Sequence, residues 1–209
     1  VYDYSEEAGM KVYFIGAGPG EPELITVKGK RLLEEADIII YAGSLVNPEI
    51  LKYAKKDAAV FDSASMSLDE IVKIMVDSVK DGKIVVRLHT GDTSLYSAIA
   101  EQMIELKKAD IDFEIIPGVS SASAAAASLN IEYTLPEITQ TVIYTRIAGR
   151  TDVPVAEKLS SLAAHNSTMV IFLSVQKIKE VVDELLKGYS SDTPVAVVYK
   201  ASWKEERIV

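Results

Sequence analysis

The chain has 209 residues, 48% of them hydrophobic and 25% charged, which is a globular composition with room for one large or two small domains. A formal net charge of −9 argues against non-specific nucleic-acid binding, which depends on a basic surface, and no apolar run reaches the roughly 18 residues of a membrane span. The absence of cysteine excludes disulfides, thiolate metal sites and a cysteine nucleophile, and it agrees with a reducing cytoplasm; two histidines, His89 and His165, are too few for a multi-histidine metal site.

Residues 1–9 carry no periodic pattern and read as a tail. The apolar run 12–15 reads as a strand that delivers Gly16-Ala17-Gly18-Pro19-Gly20. These glycines suggest a dinucleotide turn, but the G-x-G-x-x-G pattern fails at Glu21, and Pro19 lacks the N–H that a phosphate cradle would use. Thr26 caps a helix reaching about residue 36, 38–41 is a second strand, and Asn47-Pro48-Glu49 is a helix start. A third strand covers 59–61. Ser67 to Glu70 forms a capping box, and the helical apolar spacing after it runs to Asp81-Gly82.

The stretch KIVVRLHTGDTSLY, 83–96, places a β-branched strand before a Gly-Asp turn. In open α/β sheets the ligand crevice lies beyond the carboxyl ends of the strands, so Thr90, Gly91 and Asp92 are candidate ligand residues. Gly91 admits close approach to the backbone and Asp92 offers a carboxylate to hydroxyls or amines; the competing reading is a plain turn with Asp92 or Thr93 as a helix cap. The spacing predicts a helix over 94–108 and a strand over 113–116 ending at Pro117-Gly118. The helix SSASAAAASL that follows, 120–129, is of very small residues and opens with Ser120 and Ser121.

The strand and helix alternation predicts a mostly parallel sheet with helices on both faces. The pattern restarts near YTLPE, 133–137, which divides the chain into an N-terminal α/β domain, 10–125, and a C-terminal α/β domain with a mixed sheet, 126–209. In the second domain strands are expected over 140–146, 169–173 and 194–199, and helices over 153–164 and 175–186. Arg146 and Arg150 share a loop. Residues 207–209 begin a further strand, which suggests that the native protein is longer.

Taken together, GAGPGEPELITVKG, ADIIIYAGSLV, VVRLHTGDTSLYSAI, PGVSSASA, IFLS and VVYKASW resemble the tetrapyrrole methylase superfamily in order and spacing over nearly all of 10–209. TLPE with QTVIYTR and GRT most resembles the branch that methylates C11 of precorrin-4 or cobalt-precorrin-4 in cobalamin synthesis. The resemblance implies a homodimeric, cytoplasmic enzyme of two α/β domains, with S-adenosylmethionine in the cleft between them and no protein-bound metal. It places Pro19, then Thr90, Gly91, Asp92 and Leu95, then Ser120 and Ser121 in three cofactor loops, with Leu173 beside the adenine and Ala201 offering backbone contacts. Tetrapyrrole carboxylates require cations, for which Arg87, Arg146, Arg150 and Lys28 are the candidates. His89 is a candidate for proton transfer, Tyr96 and Tyr144 for the macrocycle wall. The chain departs from the family at Thr93, where proline is usual, and at Ala42-Gly43-Ser44, where uroporphyrinogen-type enzymes have an aspartate after the Tyr41 position. Other corrin methyltransferases (C20 or C17), a diphthine synthase, an rRNA ribose methylase and a non-catalytic nucleotide-binding module are the alternatives.

Overall fold

The computed structural model describes residues 10–149 and 151–209, so the tail at 1–9 and Arg150 lie outside the described residues. Two compact units are present, one comprising the chain through Ser128 together with Val198–Ile208, the other Leu129–Val197 with Val209. Sequence periodicity divides the chain once, near 126. The contacts of 198–208 bring that segment, with Ala201, back to the first unit.

The first unit holds five parallel strands, β1 (Val12–Gly16), β2 (Ile38–Tyr41), β3 (Ala59–Asp62), β4 (Val85–His89) and β5 (Phe113–Ile116), in the order β3-β2-β4-β1-β5. Every residue of β1 and of β4 is buried, as expected for central strands covered on both faces. Alternate residues serve alternate faces. Tyr13, Ile15, Ile39, Val86 and Leu88 pack with Leu32 and Leu33 of α1 (Val27–Glu35) and with Ile50 of the 3₁₀ turn Pro48–Tyr53. Val12, Phe14, Ile38, Ile40 and Val85 pack with Ile71 and Met75 of α2 (Leu68–Lys80) and Leu106 of α3 (Ile99–Lys108).

The predicted caps are present: Thr26 Oγ1 accepts from Gly29 N, and Ser67 with Glu70 forms a reciprocal capping box. Asn47 caps a 3₁₀ turn rather than an α-helix. The helix expected from 94 begins only at Ile99, because Tyr96 and Ala98 adopt positive φ angles of 54° and 50° and hold 93–98 as a turn. α4 (Ser121–Leu129) follows β5. The hairpin β8 (Val198–Tyr199) with β9 (Arg207–Ile208) is antiparallel.

The second unit pairs β6 (Val142–Arg146) with β7 (Thr168–Phe172) in parallel, against α5 (Leu159–Ala163) and α6 (Ile178–Leu185). Ile147, Leu159 and Val181 form its core. The helix expected over 153–164 is a 3₁₀ turn, Val155–Glu157, then the short α5, because Lys158 is extended between them.

Candidate functional site

The chain leaves β1 toward β2 and leaves β4 toward β5, so the carboxyl ends of β1 and β4 flank the topological switch point of the sheet. Backbone atoms close that point. Gly91 N donates to Gly18 O at 2.8 Å and Gly18 N donates to Gly91 O at 3.2 Å. The loop after β5 joins them: a Cβ on Gly16 would fall 2.6 Å from Gly91 O and 2.7 Å from Gly118 Cα, and one on Gly118 would collide with Gly91 O. Three loops therefore meet backbone against backbone, and only glycine fits at 16 and 118.

Asp92 fastens this junction. Its Oδ2 accepts from Gly118 N at 2.8 Å, and its Oδ1 accepts from Ser94 N at 2.9 Å and from the Ser94 hydroxyl. Burial acts to raise its pKa, but the bonds from the Ser94 hydroxyl, Gly118 N and Ser94 N outweigh burial and hold the carboxyl below the usual range. Neither Asp92 nor Thr93 caps α3. Thr93 is buried, Leu95 is half-buried, and Leu95 N donates to Asp92 O at 3.3 Å. Thr90 is half-buried beside Gly91. Ser120 and Ser121 open α4, with Ser120 Oγ accepting from Ala122 N at 3.2 Å.

The loop after β1 is held from two further sides. Asn47 Nδ2 donates to Gly20 O at 2.8 Å, Trp203 Nε1 donates to Pro19 O at 2.8 Å, and Glu21 N donates to Ser202 Oγ at 3.0 Å. Pro19 and Gly20 are both buried. Ala201, itself buried, lies between Lys200 and Ser202, whose φ angles are 51° and 67°.

The sequence profile described as Tetrapyrrole (Corrin/Porphyrin) Methylases matches residues 11–209. The chain belongs to the tetrapyrrole methylase family. A relative from Methanocaldococcus jannaschii named cobalt-precorrin-4 C(11)-methyltransferase is 62% identical over 200 residues, covering 95% of this methylase and 77% of the relative. A Priestia megaterium protein of the same name is 53% identical over 201 residues, covering 96% and 78%. The X-ray structure of a cobalt precorrin-4 methyltransferase of cobalamin biosynthesis superposes with a TM-score of 0.93 at 51% identity, covering 99% of this chain and 87% of that one. A uroporphyrin-III C-methyl transferase from Thermus thermophilus, complexed with S-adenosyl homocysteine, gives a TM-score of 0.77 at 26% identity, covering 95% and 82%.

Of the candidate cations, Arg87, Arg146 and Lys28 lie among the described residues. Arg87 points from β4 into the α2/α3 face and is only 5% exposed; Nε donates to Gln102 Oε1 at 3.2 Å and Nη1 to Ile40 O at 3.3 Å. Burial lowers its pKa to about 10. It is a core strut between β2, β4 and α3 and does not present itself to a ligand carboxylate. His89, two residues on, faces the same side beside Phe14, its Nε2 buried with no hydrogen-bond partner. Burial, then the charge of Arg87, lowers its pKa to about 3, which favours a neutral imidazole.

Lys28 is exposed and pairs with Glu114. In the second unit, Arg146 donates to Ile147 O, Thr151 O, Thr151 Oγ1 and Asp152 O at 2.7–3.2 Å, so its guanidinium shapes the loop instead of standing free. Leu173 has φ +55° and is 73% exposed; the turn under it is fixed by Ser174 Oγ, which accepts from Ile147 N and donates to Phe172 O. Tyr96 and Tyr144 are each somewhat over two-fifths exposed. Among the described residues no group of three His, Cys, Asp or Glu is placed to hold a metal ion, and no helix is long and apolar enough to cross a membrane.

Sequence reading gave no part in the loop junction to Gly16, Gly118, Asn47, Ser202 or Trp203, nor in the Leu173 turn to Ser174. A strand followed by glycine recurs after β1, β4 and β5 and was a usable signal for the first two. Trp203 meets Pro19 across 184 residues, and no local pattern announces that.

Proposed function

We propose that this chain transfers the methyl group of S-adenosylmethionine to C11 of cobalt-precorrin-4 or precorrin-4 in corrin ring synthesis. The observation that carries the reading is 62% identity over 95% of the chain to a relative named for that reaction; a relative named uroporphyrinogen-III C-methyltransferase, from the same organism, is only 37% identical.

The loop chemistry supports the choice of cofactor. An ionised carboxylate beside the glycine junction would repel a pyrophosphate and favour a ligand that carries positive charge. When bound, S-adenosylmethionine supplies a methyl group already activated on a sulfonium, so transfer to a ring carbon requires neither a metal nor an enzyme nucleophile. The contribution of the chain is then positioning and exclusion of water. Gly91, Thr90, Ser120 and Ser121 give backbone and hydroxyl groups at one sheet edge, Asp92 fixes that edge, and we assign Leu173 to the adenine and Ala201 to backbone contacts. Arg150 remains our candidate for substrate carboxylates, with Arg146 shaping the loop that carries it and Lys28 as a further cation. Homodimer formation belongs to the same reading.

Incubation with labelled S-adenosylmethionine and the cobalt-precorrin series tests it. Label is expected on C11 of a substrate already methylated at C17. Label at another position would reassign the reaction within the family, and no label on any tetrapyrrole would refute the proposal.

A further inference from the structure

The segment 200–206 returns to the first unit after 69 residues of the second, Leu129–Val197, and lands on the first cofactor loop. Four observations define the landing. Trp203 Nε1 donates to Pro19 O at 2.8 Å, and Ser202 Oγ accepts from Glu21 N at 3.0 Å. A Cβ on Gly20 would fall 2.0 Å from Trp203 Cδ1 and 2.2 Å from Nε1, so ring and loop backbone are in direct contact. Lys200 Nζ lies over the indole, 4.5 Å from its centroid. Glu206 Oε2 then anchors the segment, accepting from Ser202 N at 2.6 Å and from Ser128 Oγ at 2.7 Å. Lys200 and Ser202 are held at positive φ, a strained backbone that persists only where surrounding contacts fix it.

We propose that Trp203 is a positioning residue for the cofactor: its indole N–H and ring face set the shape of the 18–21 loop before ligand arrives. The inference rests on the S-adenosylmethionine reading above. It accounts for the hydrogen bond that the Pro19 carbonyl accepts from the indole and for the absence of a side chain at Gly20. A loop ordered in advance costs the ligand no ordering entropy on binding.

Trp203→Phe keeps an aromatic ring and removes the donor, so it tests the link without demanding that a truncated site fold. Calorimetry should show S-adenosylhomocysteine binding weakened about threefold to tenfold, the effect of one hydrogen bond. Hydrogen exchange of the Gly18, Gly20 and Glu21 amides should accelerate in the ligand-free variant. Trp203 is the single tryptophan, so in the wild type its emission should change as S-adenosylhomocysteine is added, a signature that a role in global stability alone would not give. Affinity within 1.5-fold of wild type overturns the proposal, whatever the exchange shows. If the wild type itself binds no S-adenosylhomocysteine, the cofactor reading fails, and unaccelerated exchange in Trp203→Phe would then overturn the clamp on its own.

Discussion

Asp92 offers a direct contest between two roles, a ligand contact and a strut. Asp92→Ala removes the acceptor for Gly118 N, Ser94 N and the Ser94 hydroxyl, and leaves the Gly118 N–H against the tightly packed Gly16 and Gly91 backbones. A hydrogen bond to a charged group contributes about 1.5–3 kcal/mol, and partial exposure of Asp92 reduces this, so the expected loss for the set is about 2 kcal/mol. That corresponds to a fall in unfolding midpoint of about 4–8 °C. The emission of Trp203, in the same unit, reports the transition. The pH dependence follows from the sign of the shift. The carboxyl is held in the folded state below its ordinary value, so its contribution is complete above about pH 5 and is lost as pH falls through the folded value. The gap between wild type and Asp92→Ala should therefore be constant from pH 5 to 7 and narrow below pH 4. Unchanged stability combined with lost S-adenosylhomocysteine binding would refute the strut and return Asp92 to direct ligand contact.

Gly118→Ala should cost more than 3 kcal/mol, because its Cβ meets Gly91 O and Gly16 Cα, backbone atoms that cannot swing aside; denaturant unfolding within 1 kcal/mol of wild type would contradict the packing. His89→Phe should change the acid limb of stability. A folded pKa of about 3 against 6.5 unfolded means that the wild type loses about 2–3 kcal/mol between pH 7 and pH 4.5, as the unfolded state takes up a proton that the buried imidazole refuses. Urea midpoints for the variant should fall less steeply over that range, and parallel profiles would show that His89 titrates normally.

Most of the first unit was legible because its signals are local and agree with one another. The apolar runs of β1, β2 and β4 and the caps at Thr26 and Ser67 all point to the same elements, and the loops after parallel strands fall where open α/β sheets place ligands. What was not legible shares a physical cause. Arg87 and His89 stand at alternate positions of one strand, and alternation alone does not say which face leads to a ligand and which to a helix; contact with Phe14 and Gln102 decides it. The late start of α3 depends on left-handed backbone at Tyr96 and Ala98, two residue types that do not advertise it. Arg146 was recognised as a cation but not as the centre of its own loop, since bonds to backbone carbonyls leave no trace in side-chain spacing. The return of 198–208 to the first unit is a long-range contact of the same kind.

The failed dinucleotide pattern now has a structural explanation. In a dinucleotide fold the turn after β1 opens the switch point, so that pyrophosphate meets backbone N–H groups at a helix N-terminus. Here the corresponding groups face each other. Gly18 and Gly91 exchange both hydrogen bonds across the β1/β4 gap, Gly118 fills the space behind them, and the Gly118 N–H is taken by Asp92. Glycine at 16 and 118 permits close approach of loop to loop. The carboxyl ends of β1 and β4 thereby close backbone against backbone, with one fixed carboxylate, and leave no gap between the two strands for a pyrophosphate. The two kinds of site are distinguishable by experiment: S-adenosylhomocysteine should bind with little dependence on salt, whereas a phosphate-directed site would favour nucleotides and weaken as ionic strength rises.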